Sequence, residues 1–223
     1  MRGRTAQRRG QAQPARRVQD PEGVKQNIIE IATEEFAANG YNGARVDEIA
    51  ARTNTSKRML YYYFGDKEGL FRAVLEEGYR RMRQVEASRR YDHLKPEAAL
   101  RALVEFTFDH QNASEDFIRL VVVENIHNGV HLARSENIQR LNAPAITTLR
   151  DIYKRGVAAK TFRPGLDIVD LHMSISALSF FNVANRATFS RIFGREMGTP
   201  AALARRKEIV VDLILRYVRS DPD

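Results

Sequence analysis

The sequence predicts an all-α protein of about nine helices. Three observations carry that expectation. From residue 20 onward, apolar residues recur three and four apart, the period of one helix face. Asn-Gly, Gly-Asp and single prolines punctuate these stretches where helices should start or stop. No stretch alternates polar and apolar residues as a half-buried strand does, and no sequence repeat or long low-complexity tract follows residue 19.

The elements follow in order. Val24, Ile28, Ile31, Ala32 and Phe36 mark a helix over 22–38, opened by Asp20-Pro21 and closed by Asn39-Gly40. A short second helix, 46–53, turns Val46, Ile49 and Ala50 inward and carries Asp47 and Glu48 in its first turn. Asn54, which tolerates positive φ, forms the turn. Ser56 caps a third helix over 57–63. Gly65 breaks it, and Asp66 caps a fourth running from Lys67 to Ser88, with Leu70, Phe71, Val74, Leu75 and Tyr79 as its apolar stripe. Pro96 opens a helix to His110, and Ser114 opens another to Asn128. A helix over 136–160 contains Pro144, which predicts a kink or break near Asn142. The stretch 167–193 reads as one long helix, apolar nearly all round through Ile168, Leu171, Ile175, Leu178 and Phe181, and 201–219 is the last.

Composition narrows the function. The chain has 223 residues, is 43% hydrophobic, and carries a formal net charge of +8 with a pI near 9.9. That excess favours an anionic partner, nucleic acid or an acidic membrane surface. There is no cysteine, which excludes disulfides, Cys-ligated zinc and thiol catalysis, and fits a cytoplasmic location. No apolar run reaches the roughly 18–20 residues of a membrane helix. The N-terminus is basic, with Arg2, Arg4, Arg8, Arg9, Arg16 and Arg17 and no acid before residue 20. No apolar segment follows it, so it is not a secretory signal. Residues 1–20 are expected to be a disordered basic arm that touches phosphates.

The stretch NTSKRMLYYYFGDKEGL, residues 54–70, holds the strongest functional signal. Two short helices joined by three or four residues have the form of a helix-turn-helix. Lys57 and Arg58 stand in the first turn of the second, against the helix dipole, which an anion in front of that turn would offset. Arg58 can read a guanine bidentately, and Lys57 can contact a guanine or a phosphate. Backbone N–H groups near Thr55, Ser56 and Lys67 can bind phosphates. Leu60 and Phe64 should pack inward. Tyr61, Tyr62 and Tyr63 spread around the remaining surface, as DNA contacts or, for Tyr63 above all, as packing aromatics.

The block GYNGARVDEIAARTNTSKRMLYYYFGDKEGLFRAVLEE is similar to the DNA-binding domain of the TetR family of bacterial transcriptional regulators, over Val24 to Glu77. The family pattern stands here as Gly40-Tyr41, Ile49-Ala50, Ser56-Lys57, Leu60-Tyr61, Tyr62-Tyr63, Phe64 and Lys67-Glu68-Gly69-Leu70. Three positions depart from it: Arg45 replaces the cap of the second helix and can reach a phosphate, Asn54 replaces the turn glycine, and Met59 replaces a small residue. The resemblance implies a ligand-responsive repressor, not an enzyme and without a cofactor. It implies a homodimer joined through 167–193 and 201–219 that holds a palindromic double-stranded operator. The domains are then the arm, a DNA-binding domain over 21–68, and a ligand-binding and dimerisation domain over 69–223.

The segments VVVENIHNGVHLARSENIQRLN and FFNVANRATFSRIFGREM are similar to one C-terminal subgroup of that family, some members of which are linked to catabolism of small aromatic or heterocyclic compounds. A small organic effector is therefore expected, with Phe106, His110, Glu124, Asn125, His127 and Phe180 as pocket candidates. Glu124, His127 and His131 share one helix face at i, i+3, i+7. No metal is expected there, because Gly129 can end the helix first and no second Glu-x-x-His follows. An all-α enzyme would need a nucleophile–base pair, a phosphate loop or a cofactor fingerprint, and none is recognisable. A purely architectural DNA-binding protein would not need so much apolar helix after residue 69.

Overall fold

The computed structural model describes residues 20–220, so the expected arginine arm lies outside the described residues. Ten α-helices are present among them: α1 Pro21–Gly43, α2 Val46–Arg52, α3 Lys57–Phe64, α4 Lys67–Ala87, α5 Pro96–Ala113, α6 Glu115–Ile126, α7 Ile138–Ala158, α8 Ile168–Ala184, α9 Arg186–Ile192 and α10 Pro200–Val218. None of them is long and apolar enough to cross a membrane.

Short polar side chains fix the starts. Asp20 accepts from the Glu22 N–H, Ser56 from Met59, Asp66 from Gly69, Asp167 from Val169 and Asp170, and Thr199 from Ala202. Gly40 leaves helical geometry at φ 68°, ψ 176° where an end is expected, and one further turn carries α1 to Gly43. Asn54 takes φ 51° in the turn before α3. Arg45, at the cap position of α2, makes no side-chain cap bond.

Two expectations need correction. Of the kink or break expected near Asn142, the break is absent, and the helix runs through Pro144. Arg140 and Pro144 are both exposed, so the carbonyl left without a helical donor meets water. The single helix over 167–193 is two. At Asn185 ψ is 5°, and its carbonyl accepts from the Phe189 N–H at 2.9 Å and the Thr188 hydroxyl at 3.0 Å, which starts α9 afresh.

The buried side chains form two cores. The first joins Ile28, Ala32 and Phe36 of α1, Ile49 of α2, Leu60 of α3, and Leu70, Phe71, Val74 and Leu75 of α4, and it also takes in Leu120 of α6. Its packing thus crosses the boundary expected at residue 68. The second gathers Leu100, Leu103, Val104 and Phe108 of α5, Leu149 and Ile152 of α7, Leu171 and Ile175 of α8, and Val210, Val211 and Ile214 of α10. α4 runs from one to the other. The α7–α8 link is pinned to the end of α10, since the Arg163 N–H donates to the Val218 carbonyl at 2.8 Å. Phe162 of that link lies buried against Gly156, where a Cβ would fall 1.9 Å from its ring.

Gly156→Ala should therefore destabilise the protein by about 1–3 kcal/mol, because Phe162 has no room to withdraw. Urea denaturation followed by circular dichroism measures this, and an unchanged midpoint would mean that Phe162 repacks freely.

Candidate nucleic-acid interface

α3 is held from behind and open in front. Leu60 is buried in the first core, with Phe64 and Tyr63 partly buried beside it. Burying a side chain the size of Leu60 contributes roughly 1.5–3 kcal/mol, enough to seat this eight-residue helix. Tyr63 packs edge-on against Tyr62, with centroids 5.4 Å apart, and tilts onto Phe64 at 6.3 Å. The corner into α4 is tight. A Cβ at Gly69 would stand 2.0 Å from the Phe64 carbonyl oxygen, so only glycine fits.

The outer face carries most of the residues expected at DNA. Tyr62 is 78% exposed and Tyr61 40%. Arg58 is exposed and makes no ion pair among the described residues. Lys57 pairs with Asp47 at 3.1 Å and Arg45 lies 3.8 Å from Glu48. All four side chains are solvent-exposed, and such pairs exchange at little cost. The Ser56 hydroxyl accepts the cap bond from Met59 at 3.2 Å, and Thr55 donates to the Thr53 carbonyl at 3.2 Å.

The Lys67 side chain does not face outward with the others. Its ammonium turns inward and donates to the carbonyls of Ala44 at 2.7 Å and Asn42 at 3.4 Å, 5.2 Å from the centre of the Tyr41 ring. Burial holds its pKa below the ordinary lysine value, against the pull of Glu35. Lys67 thus ties the start of α4 to the α1–α2 turn.

Behind that turn lies a cluster that ties α6 and the turn after it to the first core. Glu124 is buried and accepts from the His131 N–H at 3.0 Å and the Leu132 N–H at 2.9 Å, and its other oxygen lies 2.6 Å from His131 Nδ1. The His131 ring packs on Tyr41 at 4.5 Å and Phe71 at 4.9 Å. His127 reaches Tyr41 at 5.4 Å and His131 at 5.5 Å. Glu124 and His131 therefore use each other, and no three His, Asp or Glu side chains among the described residues stand close enough to hold a metal ion.

The six pocket candidates are not brought together. Glu124 and His127 belong to the cluster just described, and Asn125 is exposed nearby. Phe106 and His110 stack at 5.5 Å on the α4–α5 surface, beside a cavity of about 400 Å³, with Arg89 over the Phe106 ring. Phe180 lies partly buried on α8. A further polar group was not visible in the sequence. Arg83 and Glu86 pair almost out of contact with water, and Arg83 donates to Asn142 at 3.2 Å. Burial, and then the charge of Arg83, lowers the pKa of both His110 and His172. On a charged helix such as α4, nothing local distinguishes an inward arginine from a solvated one.

The model for "Bacterial regulatory proteins, tetR family" matches residues 28–74, and that for "Tetracyclin repressor-like, C-terminal domain" matches 96–214. The HTH-type transcriptional repressor NicS of Pseudomonas putida is 35% identical over 203 residues, 91% of this chain and 96% of that protein. The HTH-type transcriptional repressor SCO4008 of Streptomyces coelicolor is 31% identical, over 70% of this chain and 78% of its own length. Among solved structures, the putative transcriptional regulator SCO4942 of Streptomyces coelicolor superposes with a TM-score of 0.64 at 25% identity, over 87% of this chain and 98% of that one. A regulatory protein of the tetR family from Rhodococcus RHA1 shares the fold, with a TM-score of 0.68 at 22% identity over 89% and 98% of the two chains.

Replacing Glu124 by Ala leaves two buried N–H groups and an imidazole without their acceptor. The expected loss is at least about 2 kcal/mol in thermal denaturation, whereas Asn125→Ala, on the exposed side of the same helix, should stay within about 0.5 kcal/mol of the parent.

Proposed function

The chain belongs to the TetR family of bacterial regulators, and we propose that it is a ligand-responsive repressor that holds a palindromic operator as a homodimer. The observation that carries this reading is the outer face of α3, where Arg58, Tyr61 and Tyr62 stand exposed on a helix clamped from behind by Leu60. A recognition helix needs that combination of free donors on a fixed backbone. Arg58 reads a base edge, and Lys57 exchanges Asp47 for a base or a phosphate. Tyr61 and Tyr62 lay ring or hydroxyl against thymine methyls and phosphates. Ser56, Thr55 and Arg45 meet the backbone at the entry to α3. Tyr63 supports α3 from within, and Lys67 sets the angle between α1, α2 and α4. The arginines of residues 1–19 add salt-dependent affinity.

The dimer reading is supported by a strip of apolar surface that has no cover among the described residues. Val169, Met173 and Phe181 are exposed on α8, and Ile209, Leu213 and Tyr217 on α10. Four-residue spacing puts each set on one helix face, the form of a two-fold helical interface. α9 lies beyond this strip. Glu124, His131 and Tyr41 tie α6 to the head, and Lys67 ties α4 to the α1–α2 turn. An effector that favours one arrangement of α6 against α1 and α4 therefore moves the whole head and changes the spacing of the two recognition helices. A cytoplasmic location goes with this role.

Fluorescence anisotropy with the DNA upstream of the protein's own gene, run against a nonspecific duplex across a salt series, tests the reading. Saturable preference with two protomers per site is expected, and equal binding to both duplexes at every salt concentration would sink it. Arg58→Ala should cost about 1–3 kcal/mol on the operator and much less on the control duplex. Arg45→Gln should weaken both alike and reduce the salt slope by about one. Lys67→Gln should lose about 1–2 kcal/mol of stability with its slope unchanged; a reduced slope would put its ammonium on a phosphate after all.

A further inference from the structure

Where α8, α9 and α10 meet, the structure forms a cleft of about 500 Å³, open to solvent on one side. Its walls are of two kinds. Phe181, Phe189 and Ile209 supply apolar surface, with the two phenyl rings edge to face at 4.9 Å. Arg186, Arg195, Arg205 and Arg206 bring four guanidinium groups, against the single carboxylate of Glu196. Among the described residues Arg195, Arg205 and Arg206 make no ion pair. Arg186 is fixed by donating to Asn112 Oδ1 at 2.9 Å, with Glu115 at 3.8 Å, yet its Nε is buried without an acceptor. The first turn of the 19-residue α10 opens on the same space through Ala201 and Ala202, so the positive end of its dipole adds to the field.

A buried donor without an acceptor is unfavourable as it stands, and three uncompensated guanidiniums around one small space repel one another. A carboxylate relieves both, because its two oxygens match the fork of a guanidinium. Phenyl walls on the other side select a flat aromatic body. The volume lies within the roughly 300–1,000 Å³ range of small-molecule sites.

We propose that this cleft binds an aromatic carboxylate, and that this ligand is the effector that releases the operator; the second half rests on the repressor reading above. Phe181 and Ile209 belong both to the cleft and to the exposed apolar strip of α8 and α10. Occupancy therefore acts on the packing between protomers and, through it, on the separation of the two heads.

Isothermal titration of the full-length protein with 2-naphthoate, and with the neutral 2-naphthamide in parallel, tests the site. Naphthoate should saturate at one molecule per protomer, and the amide should bind at least about tenfold more weakly. Arg205→Gln and Arg186→Gln should each weaken naphthoate about tenfold and leave the amide unaffected. Arg205 is exposed and makes no ion pair, so its replacement does not threaten folding, and thermal midpoints of both variants verify that. Equal affinity for acid and amide, full affinity in Arg205→Gln, or no saturable uptake of naphthoate would each overturn the assignment. Operator anisotropy at saturating naphthoate tests the second half. Release of the DNA supports it, and occupancy without release overturns the effector role while leaving the site. Failure of the unliganded protein to prefer its operator would instead overturn the repressor reading alone.

Discussion

Leu120 of α6 lies fully buried in a core otherwise built from α1 to α4. Together with the packing of α4 along α7, that insertion makes the molecule a single mechanical object. Without α6 the head would expose the inner faces of Phe36 and Phe71, and a unit of that size cannot offset such a loss from its own small core. The buried carboxylate of Glu124, four residues further along the same helix, closes the junction by holding the His131 turn against Tyr41 and Phe71. Hydrophobic burial supplies the adhesion there, and the carboxylate supplies the register. A polar group satisfied by three donors has one good position, whereas an apolar contact tolerates sliding.

The same junction explains why Lys67 faces inward. The α1–α2 turn leaves the carbonyls of Asn42 and Ala44 pointing toward the start of α4, and an ammonium is the compact donor that can meet both. Its charge also lies against the Tyr41 ring, which packs on His131 as well. Packing around Tyr41 thus passes without a gap from the C-terminal end of α6 to the corner that orients α3.

What could be read from the sequence was whatever is decided locally. Asp20, Ser56 and Asp66 cap their helices because a side chain two or three residues from an orphan N–H needs no tertiary partner. Leu60 was legible as core and Arg58 as surface from helical spacing alone. The inward turn of the Lys67 ammonium was not legible because its acceptors lie more than twenty residues upstream. Pro144 was read as a break because the sequence could not tell that Arg140 would face water. Asn185 was passed over because apolar residues on both sides masked a weak helix former. The pocket candidates were chosen by residue type, and type does not say which helices meet; the arginines around Phe189 come together only because the chain after α8 turns so that α9 and the start of α10 face one cleft.

The Gly69 corner has an evolutionary consequence. With no clearance between its Cα and the Phe64 carbonyl, the turn from α3 into α4 leaves the backbone one path, held by the Gly65 N–H on the Tyr61 carbonyl and not by the exposed side chains of Arg58, Tyr61 and Tyr62. Sequence drift can therefore rewrite the outward face of α3 without disturbing the scaffold beneath. Gene duplicates of such a chain could diverge toward new promoters one surface residue at a time, each intermediate remaining a folded protein.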